Sequence, residues 1–430
     1  MEKSISVIIP VLGSQSSAMR SDIPLVLHAV CGRSMLDYTM DTARCLTDNI
    51  AVLTAGGCGE SMHGHGVEPG FIHPLADDQN SAYAFLQAAV QVSGDSEYFI
   101  LLPGNLPLVT LSTLQDLLQF AGSQQLDAVL LAAGHTALPE FAGQVICVRV
   151  KWLADLLTMH QSKLKAIPMQ TMDLWHLLTA EQAKKKLFHP VHPEETMAVT
   201  DRITLSEAER AMRNRINHKH MQNGVTLIDP SQTYIGPDVC IEQDTVIYPG
   251  NVLEGSTVIG RGCTLYPNNR LKDVRLGEGV TLQSSVILES SIGDKTTVGP
   301  YAYIRPGSEI GSGVRIGDFV EIKKSVIGEG SKVSHLTYIG DARLGKDVNV
   351  GCGVVCVNYD GKRKQRVTVG DHAFIGCNVN LIAPVEVEHD SYIAAGSTIT
   401  DRVPAKALAI ARARQVNKEG WVDKREKQDG

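Results

Sequence analysis

The chain has 430 residues, of which 43% are hydrophobic and only 5% aromatic, so we expect two or three domains with cores of Ile, Val and Leu. The formal net charge of −7 argues against a general nucleic-acid-binding role. The nine cysteines are scattered and form no C-x-x-C motif, which favours a reduced, cytoplasmic protein over a disulfide framework or a zinc site.

The first residues, MEKSISVIIPVLG, are too short and too weakly basic for a signal peptide, and we interpret them as a first strand. Apolar runs stay well below the roughly 20 residues that a membrane-spanning helix needs. We therefore expect no membrane partner.

Residues 1–203 are predicted to form one α/β domain in which strands alternate with helices. The predicted strands are 5–10, 50–54, 98–102 and 128–133. The predicted helices are 34–47, 82–92 and 112–120. This alternation predicts a Rossmann-like parallel sheet with helices on both faces. Ligands of such sheets bind at the carboxyl ends of the strands, here near residues 11–20 and 103–107.

One long polar helix is predicted for residues 206–222, within a linker at 204–224. Ser206 and Glu209 have the spacing of a capping box, and Asn223-Gly224 is typical of a helix end. A helix with so little apolar surface is typical of a connection between domains.

Residues 225–403 carry an aliphatic residue at about every sixth position; the spacing is strict at Ile304, Ile310, Ile316 and Ile322 and weaker upstream. Such hexapeptide repeats predict a parallel β-helix, here left-handed, with three short strands per coil of 18 residues and roughly nine coils. Gly-rich pairs between the aliphatic positions suit the corners. The segment 360–367, DGKRKQRV, breaks the repeat and is predicted to loop out.

Residues 404–430 are predicted to form a C-terminal arm that ends in a disordered segment, KREKQDG. Its composition is strongly polar and charged, which is typical of a chain end without a packed core.

Seven segments of the second half, in order and spacing, resemble the acetyltransferase half of the bacterial bifunctional GlmU family. They are RPG at 305–307, FVEIKK at 319–324, SHLTYIGD at 334–341, VNYDG at 357–361, LIAPV at 381–385, AAGST at 394–398 and KEGW at 418–421. The resemblance covers about residues 235–422. It implies an N-acetyltransferase that moves acetyl from acetyl-CoA to the amine of glucosamine-1-phosphate, in the biosynthesis of UDP-N-acetylglucosamine for the cell envelope.

The acceptor amine must lose a proton as it attacks the thioester, and a histidine suits this role because its pKa lies near working pH. The resemblance implies that His335 is this general base. Arg305 and Lys323 lie 18 positions apart, one predicted coil, so both cations can reach one phosphate. The family match gives both as sugar-phosphate ligands and puts Tyr338 and Asn349 on the sugar hydroxyls.

The resemblance also implies which residues contact acetyl-CoA: Cys352, Asn358, Tyr359, Lys364, Cys377, Ala395 and Arg412. Two of them depart from the family, since Cys377 stands for a serine and Cys352 for an alanine. We expect altered affinity for the acyl donor rather than a new mechanism, although an acetyl-cysteine route through Cys377 is an alternative. The basic loop around Lys364 suits the phosphates of coenzyme A. Members of the family are homotrimers with each site at a subunit interface, so we expect a homotrimer.

The first half departs from the family's uridyltransferase where that enzyme binds phosphates. The family's loop LAAGxGTRM is VLGSQSSAM here, at 11–19, so that Gly13 alone remains and Ala18 occupies the arginine position. Leu25 occupies the position of a lysine. Two cations that would face a triphosphate are therefore missing.

The metal and base sites of that half are altered too. Asn105 stands where the family has a metal-binding aspartate, and a neutral amide is a poor ligand for Mg²⁺. The family's second metal ligand aligns near Thr200-Asp201. DQNSAY at 78–83 replaces the uracil-reading segment, and the sugar-binding segment is compressed within 130–150. We expect that uridyltransferase activity is lost and that Mg²⁺ is needed only if this half is active.

Three alternatives stay open at this stage. The first is the full bifunctional enzyme, which would also make UDP-N-acetylglucosamine from UTP and N-acetylglucosamine-1-phosphate. The second is a non-enzymatic scaffold, which the joint presence of the site residues disfavours. The third is a β-helical metalloenzyme of the γ-carbonic anhydrase kind with His335, His372 and His389 as ligands. Their spacings of 37 and 17 do not place them at matching positions.

Overall fold

The computed structural model describes residues 4–12, 18–55, 67–75, 81–132, 144–167 and 183–426. It divides into two compact units, Met1–Ile216 and Asn217–Gly430, which we describe separately. Several sequence features lie outside the described residues: Gly13 and most of its loop, the pair Gly56-Gly57 that follows the second predicted strand, Cys58, which is one of the nine cysteines, residues 78–80, and the compressed segment at 133–143.

The first unit is built on a seven-stranded sheet of order β5-β4-β1-β6-β8-β7-β9, beside a small β2-β3 hairpin. The strands are β1 Ile5–Leu12, β2 Ala29–Val30, β3 Arg33–Ser34, β4 Ile50–Ala55, β5 Ile72–Pro74, β6 Tyr98–Leu101, β7 Ala128–Leu131, β8 Ile146–Arg149 and β9 Lys185–Phe188. The sheet is mixed rather than purely parallel as predicted, because β8 runs antiparallel to both β6 and β7. The sequence analysis did not identify β5, β8 or β9.

Helices cover both faces of this sheet, as predicted. They are α1 Met35–Leu46, α2 Ala82–Ser93, α3 Leu111–Ser123, α4 Val150–Met159 and α5 Gln161–Lys165. Alternation along β1 sends Val7 and Ile9 into the core under α1 and α3, and Ile8 into the core under α2 and α4. The three predicted helices begin at hydroxyl caps, because Ser34, Ser81 and Thr110 each accept a backbone N–H of the first turn.

The long polar helix, α6, runs over Arg202–Gln222 and begins four residues earlier than predicted. Its start is marked by Asp201, whose Oδ1 accepts the backbone N–H groups of Ile203 and Thr204. Glu209 instead accepts the backbone N–H of Cys31. The predicted Ser206–Glu209 capping box is therefore wrong, since Ser206 already lies inside the helix. The predicted end at Asn223-Gly224 is confirmed.

The second unit is a prism of three parallel sheets, which confirms the predicted left-handed β-helix. The first face consists of Thr226–Leu227, Val246–Ile247, Thr264–Leu265, Thr281–Leu282, Thr297–Val298, Arg315–Asp318, Lys332–His335, Asn349–Val350, Phe374–Ile375, Tyr392–Ile393 and Leu408–Ala409. The second face consists of Tyr234–Ile235, Val252–Glu254, Arg270–Lys272, Val286–Leu288, Tyr303–Ile304, Glu321–Lys323, Tyr338–Gly340, Val355–Val357, Asn380–Ile382 and Thr398–Ile399. The third face consists of Cys240–Ile241, Val258–Ile259, Arg275–Leu276, Ser291–Ile292, Glu309–Ile310, Val326–Ile327, Ala342–Leu344, Val367–Val369 and Val385–Val387.

Buried aliphatic side chains stack through the middle of the prism. On the second face, Ile304 pairs with Ile322 and Ile322 with Ile339, and all three are buried. The coil from Ile304 to Ile322 is 18 residues long and the coil from Ile322 to Ile339 is 17, so the predicted constant length of 18 is wrong. The coil from Val355 to its partner Asn380 is 25 residues long and contains the loop predicted at 360–367.

The end of the chain also differs from the prediction. Leu408–Ala409 pairs with Tyr392–Ile393, so the first face continues into the region predicted as an arm. The short helix α7, Trp421–Glu426, includes part of the segment predicted to be disordered, while residues 427–430 lie outside the described residues. Across the described part of the chain, none of the helices is both long and apolar enough to cross a membrane.

Candidate active site

Five predicted or newly found site residues stack on successive coils where the first face turns toward the second. We call this stack the corner ladder: Asp318, His335, Cys352, Cys377 and Ala395. Asp318 pairs with His335 directly, and the register of the following strands continues the stack. Each is followed by a residue with positive φ, which repeats the same turn on every coil: Phe319, Leu336, Gly353, Asn378 and Gly396. The ladder therefore aligns the predicted base with three predicted acetyl-CoA positions.

His335 is oriented by the carboxylate one coil before it. Its Nδ1 lies 2.6 Å from Oδ1 of Asp318. Because an ionised carboxylate can only accept, Nδ1 carries the proton in this contact, and Nε2 of the neutral ring is left to accept one. The His335 side chain is 54% exposed, so Nε2 can be reached from solvent.

The same contact, more than any other, lowers the pKa of Asp318 below its ordinary value. Asp318 is therefore ionised at neutral pH. Its contact with His335 contributes stability above the ordinary carboxyl pKa, and this contribution is lost as the pH falls through the lowered value. The contact that orients His335 is thus in place at neutral pH, where a histidine can act as a base.

Two predicted phosphate ligands occupy matching positions on adjacent coils of the second face. The backbone N–H of Arg305 donates to Ile322, which places Arg305 next to Lys323. Arg305 donates to Oε1 of Glu321 at 2.8 Å, and this bond raises the pKa of the guanidinium. Lys323 Nζ lies 3.8 Å from Oδ2 of Asp341. The predicted 18-residue spacing is confirmed at this step of the β-helix.

A third cation reaches the same place from the inserted loop. Tyr359 and Lys364 form an antiparallel bridge across the loop, and Asp360 accepts two backbone N–H groups at its tip. The side chain of Lys364 lies close enough to Lys323 to be the largest cause of the lowered pKa of Lys323, ahead of burial. We call Arg305, Lys323 and Lys364 the cation cluster.

The cation cluster has more positive than negative charge. Glu321 contacts Arg305 and Asp341 contacts Lys323, so the three cations exceed these two carboxylates by one charge. Asn358 is buried and donates to both Asp341 and the hydroxyl of Tyr338, so these side chains form one network. An anion bound here would relieve the repulsion between the two lysines.

The corner ladder and the cation cluster lie at opposite ends of one strand of the second face. Lys323 pairs with Gly340, which follows His335 by five residues. Five residues of extended chain span at most about 17 Å, so both sites border the same face. An amino-sugar phosphate would have to reach along this face for its amine and its phosphate to meet the two sites.

The remaining predicted residues lie nearby but on different surfaces. Asn349 is on the first face, where it pairs with Phe374 and not with the strands of the cation cluster. Tyr359 is exposed, and its hydroxyl donates to the carbonyl of Gly361. The side chain of Arg412 lies over the corner next to Ala395, because a Cβ added to Gly396 would lie 3.7 Å from its Cδ.

The sequence analysis missed three acidic residues that hold the predicted cations and base: Asp318, Glu321 and Asp341. Asp318 precedes His335 by 17 positions, so a search at the predicted coil length of 18 reaches Gly317 instead. Counting with coils of variable length would have found it.

The arrangement does not form a metal centre of the carbonic anhydrase kind within the described part of one chain. In that part, no group of three or more His, Cys, Asp and Glu side chains could hold a metal ion. The register also separates His335 from His372, which stacks between Asp347 and Asp390 at another corner.

In the first unit, Asn105 is used for a hydrogen bond where the family has a metal ligand. Its side chain is buried, and its Nδ2 donates to the carbonyl oxygen of Val199 at 2.9 Å. Asp201, near the second expected ligand position, caps helix α6. Residues 101–109 are all buried, and a Cβ added to Gly104 would lie 3.0 Å from Val26. Within the residues of this unit that the structure describes, no group of three or more His, Cys, Asp and Glu side chains could hold a metal ion, so these residues do not fit a Mg²⁺ site.

Comparisons with known protein families match both units. The bacterial transferase hexapeptide family (six repeats) matches residues 289–324 and 366–401. The MobA-like NTP transferase domain family matches residues 11–174.

Curated relatives match almost the whole chain. The bifunctional protein GlmU of Clostridium novyi is 43% identical, over 96% of this chain and 97% of that protein. The GlmU proteins of Clostridium acetobutylicum and a Geobacillus species are 44% and 40% identical, each over 95% of this chain and 96% of the relative. The chain therefore belongs to the family of bifunctional GlmU proteins, which join a nucleotidyltransferase-like domain to a hexapeptide-repeat transferase domain.

Proposed function

We propose that the chain is a glucosamine-1-phosphate N-acetyltransferase that uses acetyl-CoA and contributes to the synthesis of UDP-N-acetylglucosamine. The observation that carries this proposal is the corner ladder, which aligns an oriented His335 with Cys352, Cys377 and Ala395. Family membership supports it, since relatives of the same length are named as bifunctional GlmU proteins.

In the proposed reaction, Nε2 of His335 removes a proton from the amine of the sugar as the nitrogen attacks the thioester carbonyl. The new C–N bond forms, the C–S bond breaks, and coenzyme A leaves as a thiolate that takes the proton from the imidazolium of His335, which restores the neutral base. The negative charge of Asp318 stabilises the imidazolium that forms at His335. Asp318 is a positioning residue, because it acts through the histidine.

We assign the cation cluster to the phosphate of the acceptor. A phosphate carries two charges and several acceptor oxygens, which suits a planar guanidinium with two ammonium groups. The position of Lys364 beside Lys323 supports a contact with the sugar phosphate as well as the predicted contact with acetyl-CoA. Tyr338 and Asn358, joined to this network, are placed to contact the sugar and the acyl donor.

A homotrimer would complete the site. Tyr301 and Phe319 stack on each other at 5.5 Å and are more than half exposed, and Leu336 continues this apolar strip. Phe319 and Leu336 directly follow Asp318 and His335, so a second copy packed on the strip would border the corner ladder. The second copy would also add a further surface beside Asn349. Within one chain, Asn349 lies on a different face from the cation cluster.

We further propose that the uridyltransferase activity of the family is lost in this chain. Asn105 offers a neutral amide, whose Nδ2 donates to Val199, in place of a metal-binding carboxylate, and Ala18 and Leu25 lack the charge of the residues that they replace. The second candidate is the complete bifunctional enzyme, which the match over both halves of the relatives favours.

Replacing His335 by alanine is expected to lower kcat by about 10²–10⁴-fold, the usual contribution of a general base. Asp318→Asn should cause a smaller loss of kcat, because the amide oxygen can still accept the Nδ1 proton of His335 but no longer carries the charge that stabilises the imidazolium. Product formation followed by mass spectrometry measures both. His372→Ala is the matched control; an equal loss there would favour the metalloenzyme alternative and contradict the assignment of His335.

Removing one cation of the cluster, by Arg305→Ala or Lys323→Ala, is expected to raise the KM for glucosamine-1-phosphate several-fold, with a smaller change in kcat. The KM for unphosphorylated glucosamine should change little, because it lacks the anion that these cations bind. Arg275→Ala, an exposed arginine on the third face, is the matched control. A similar change for both acceptors would contradict the assignment of the cluster to the phosphate.

In solution the protein is expected to have a mass of about 140 kDa, three times the 46.5 kDa of one chain. Phe319→Glu should shift this mass towards the monomer and lower acetyl transfer, because it puts a charge into the apolar strip. Light scattering and activity are measured on the same samples. Tyr234→Glu, at an exposed tyrosine in the first coils, should change neither; a monomeric wild-type protein would exclude the trimer.

Purified protein with UTP, N-acetylglucosamine-1-phosphate and Mg²⁺ is expected to form no UDP-N-acetylglucosamine above the enzyme-free background. Asn105→Asp should not restore the activity and should destabilise the first unit by about 1–3 kcal/mol, because a carboxylate would then face the Val199 carbonyl. Thermal unfolding measures this, with the exposed Gln119→Glu as control. Sustained conversion of UTP by the wild-type protein would establish the second candidate instead.

A further inference from the structure

Cys352 and Cys377 are neighbours on the corner ladder, although 25 positions separate them in the sequence. Val350 pairs with Ile375, two residues before the cysteines, and the backbone N–H of Asn378 donates to the carbonyl of Cys352 at 2.7 Å. The residues that follow them, Gly353 and Asn378, both have positive φ, so the two cysteines occupy the same position in the same turn. Their Cβ atoms therefore point in similar directions from adjacent coils.

This pair differs from the other six cysteines that the structure describes in its register rather than in exposure alone, since Cys45 and Cys240 are exposed too. Cys377 is exposed and Cys352 is partly exposed, whereas Cys147, Cys263 and Cys356 are buried. Among the described residues, Cys352 and Cys377 are the one pair at matching positions on adjacent coils. A thiol reagent can thus reach both members of the pair.

The spacing of the coils allows a disulfide between them. Adjacent parallel strands lie about 4.7–4.9 Å apart, which is inside the Cα–Cα range of about 4.4–6.8 Å found for disulfides. The corresponding Cβ separation is slightly longer than the usual 3.5–4.5 Å, so the bond would need a small local approach of the two coils. Exposed and slightly strained disulfides are easily reduced, which is typical of reversible ones.

We propose that Cys352 and Cys377 form a reversible disulfide by exchange with a low-molecular-weight disulfide, and that this bond blocks the acyl-donor side of the corner ladder. The claim that the bond blocks the acyl donor rests on the proposed acetyltransferase function. His335 is the next ladder position before Cys352, and Ala395 is the next after Cys377. The bond would thus lie between the base and the remaining predicted acetyl-CoA contact, in a corner where the donor's thioester must lie.

The exchange balances without a further oxidant. The thiolate of Cys377, the more exposed of the two, attacks one sulfur of the small disulfide and displaces its first thiolate. The thiolate of Cys352 then attacks the sulfur of Cys377 in the mixed disulfide and displaces the second. Two protein thiols are oxidised to one disulfide, the small disulfide is reduced to two thiols, and the two thiol protons leave with these products.

The test uses the full chain, incubated with oxidised glutathione or, in a second arm, with coenzyme A disulfide. The wild-type protein should become two hydrogens lighter per chain and yield a peptide pair cross-linked through Cys352 and Cys377 in mass spectrometry. It should lose most of its acetyl transfer, measured by mass spectrometry of the product, and dithiothreitol should restore it. Faster exchange with coenzyme A disulfide would show that binding of the donor guides the reaction.

Each variant is compared with its own untreated sample, because both cysteines are predicted donor contacts. Neither Cys352→Ala nor Cys377→Ser should form the cross-link. Cys377→Ser, which lacks the attacking thiol, should keep most of its own starting activity after oxidation, whereas Cys352→Ala should stop at the mixed disulfide on Cys377 and gain the mass of the small thiol. Cys240→Ser, which removes an exposed cysteine away from the ladder, should behave like the wild-type protein.

Two results would overturn the proposal: no Cys352–Cys377 peptide pair from the oxidised wild-type protein, or a cross-link that leaves acetyl transfer unchanged. Reduced wild-type protein without any acetyl transfer would instead refute the proposed function, and the peptide pair alone would then decide whether the disulfide forms.

Discussion

Each coil of the second unit closes around buried aliphatic side chains, and the stacking of these side chains sets the register of everything outside them. Ile304, Ile322 and Ile339 pair in sequence through the middle of the prism, so the residues beside them must also stack. A shift of one residue would turn each aliphatic side chain outward, at a high cost in buried apolar surface. The inner stack therefore fixes which polar side chains meet on the surface.

The candidate site uses this register in two ways. At the corner it aligns Asp318 with His335, so that a carboxylate orients an imidazole that leaves Nε2 available. Along the second face it aligns Arg305 with Lys323, and the inserted loop adds Lys364. In the proposed reaction, the first arrangement removes a proton from the amine of the acceptor and the second binds its phosphate. An amino-sugar phosphate carries both groups, which is the chemical basis of the proposal.

The first unit keeps the family's architecture, but a neutral amide stands where the family has a metal-binding carboxylate. The sheet, the helices on both faces and the hydroxyl caps are intact. At the decisive position, however, Asn105 satisfies its amide by donating to Val199, a bond that a carboxylate cannot make. The packing around Gly104 fills the same region with apolar side chains. A stable fold can thus remain after the charged residues of a site are replaced, because its core does not depend on them.

The sequence by itself determined the fold class, the three long helices of the first unit, the inserted loop and the identities of the candidate base and cations. The fold class, the helices and the loop follow from local periodicity and from breaks in it, while the candidate base and cations are implied by the resemblance to the family; neither needs knowledge of distant contacts. The start of helix α6 was predicted wrongly because Asp201, and not Ser206, satisfies its first N–H groups. The antiparallel strand β8 was missed, since strand direction depends on pairing and leaves little trace in the sequence.

Only the tertiary structure decided which residues meet. Coil length varies between neighbouring coils, so the pairing of Asp318 with His335 at 17 positions and of Cys352 with Cys377 at 25 could not be counted from a fixed repeat. The physical reason is that corners and loops absorb extra or missing residues while the inner aliphatic stack stays continuous. The sequence therefore identified the candidate reactive residues, and the length of each coil determined which residues lie next to them.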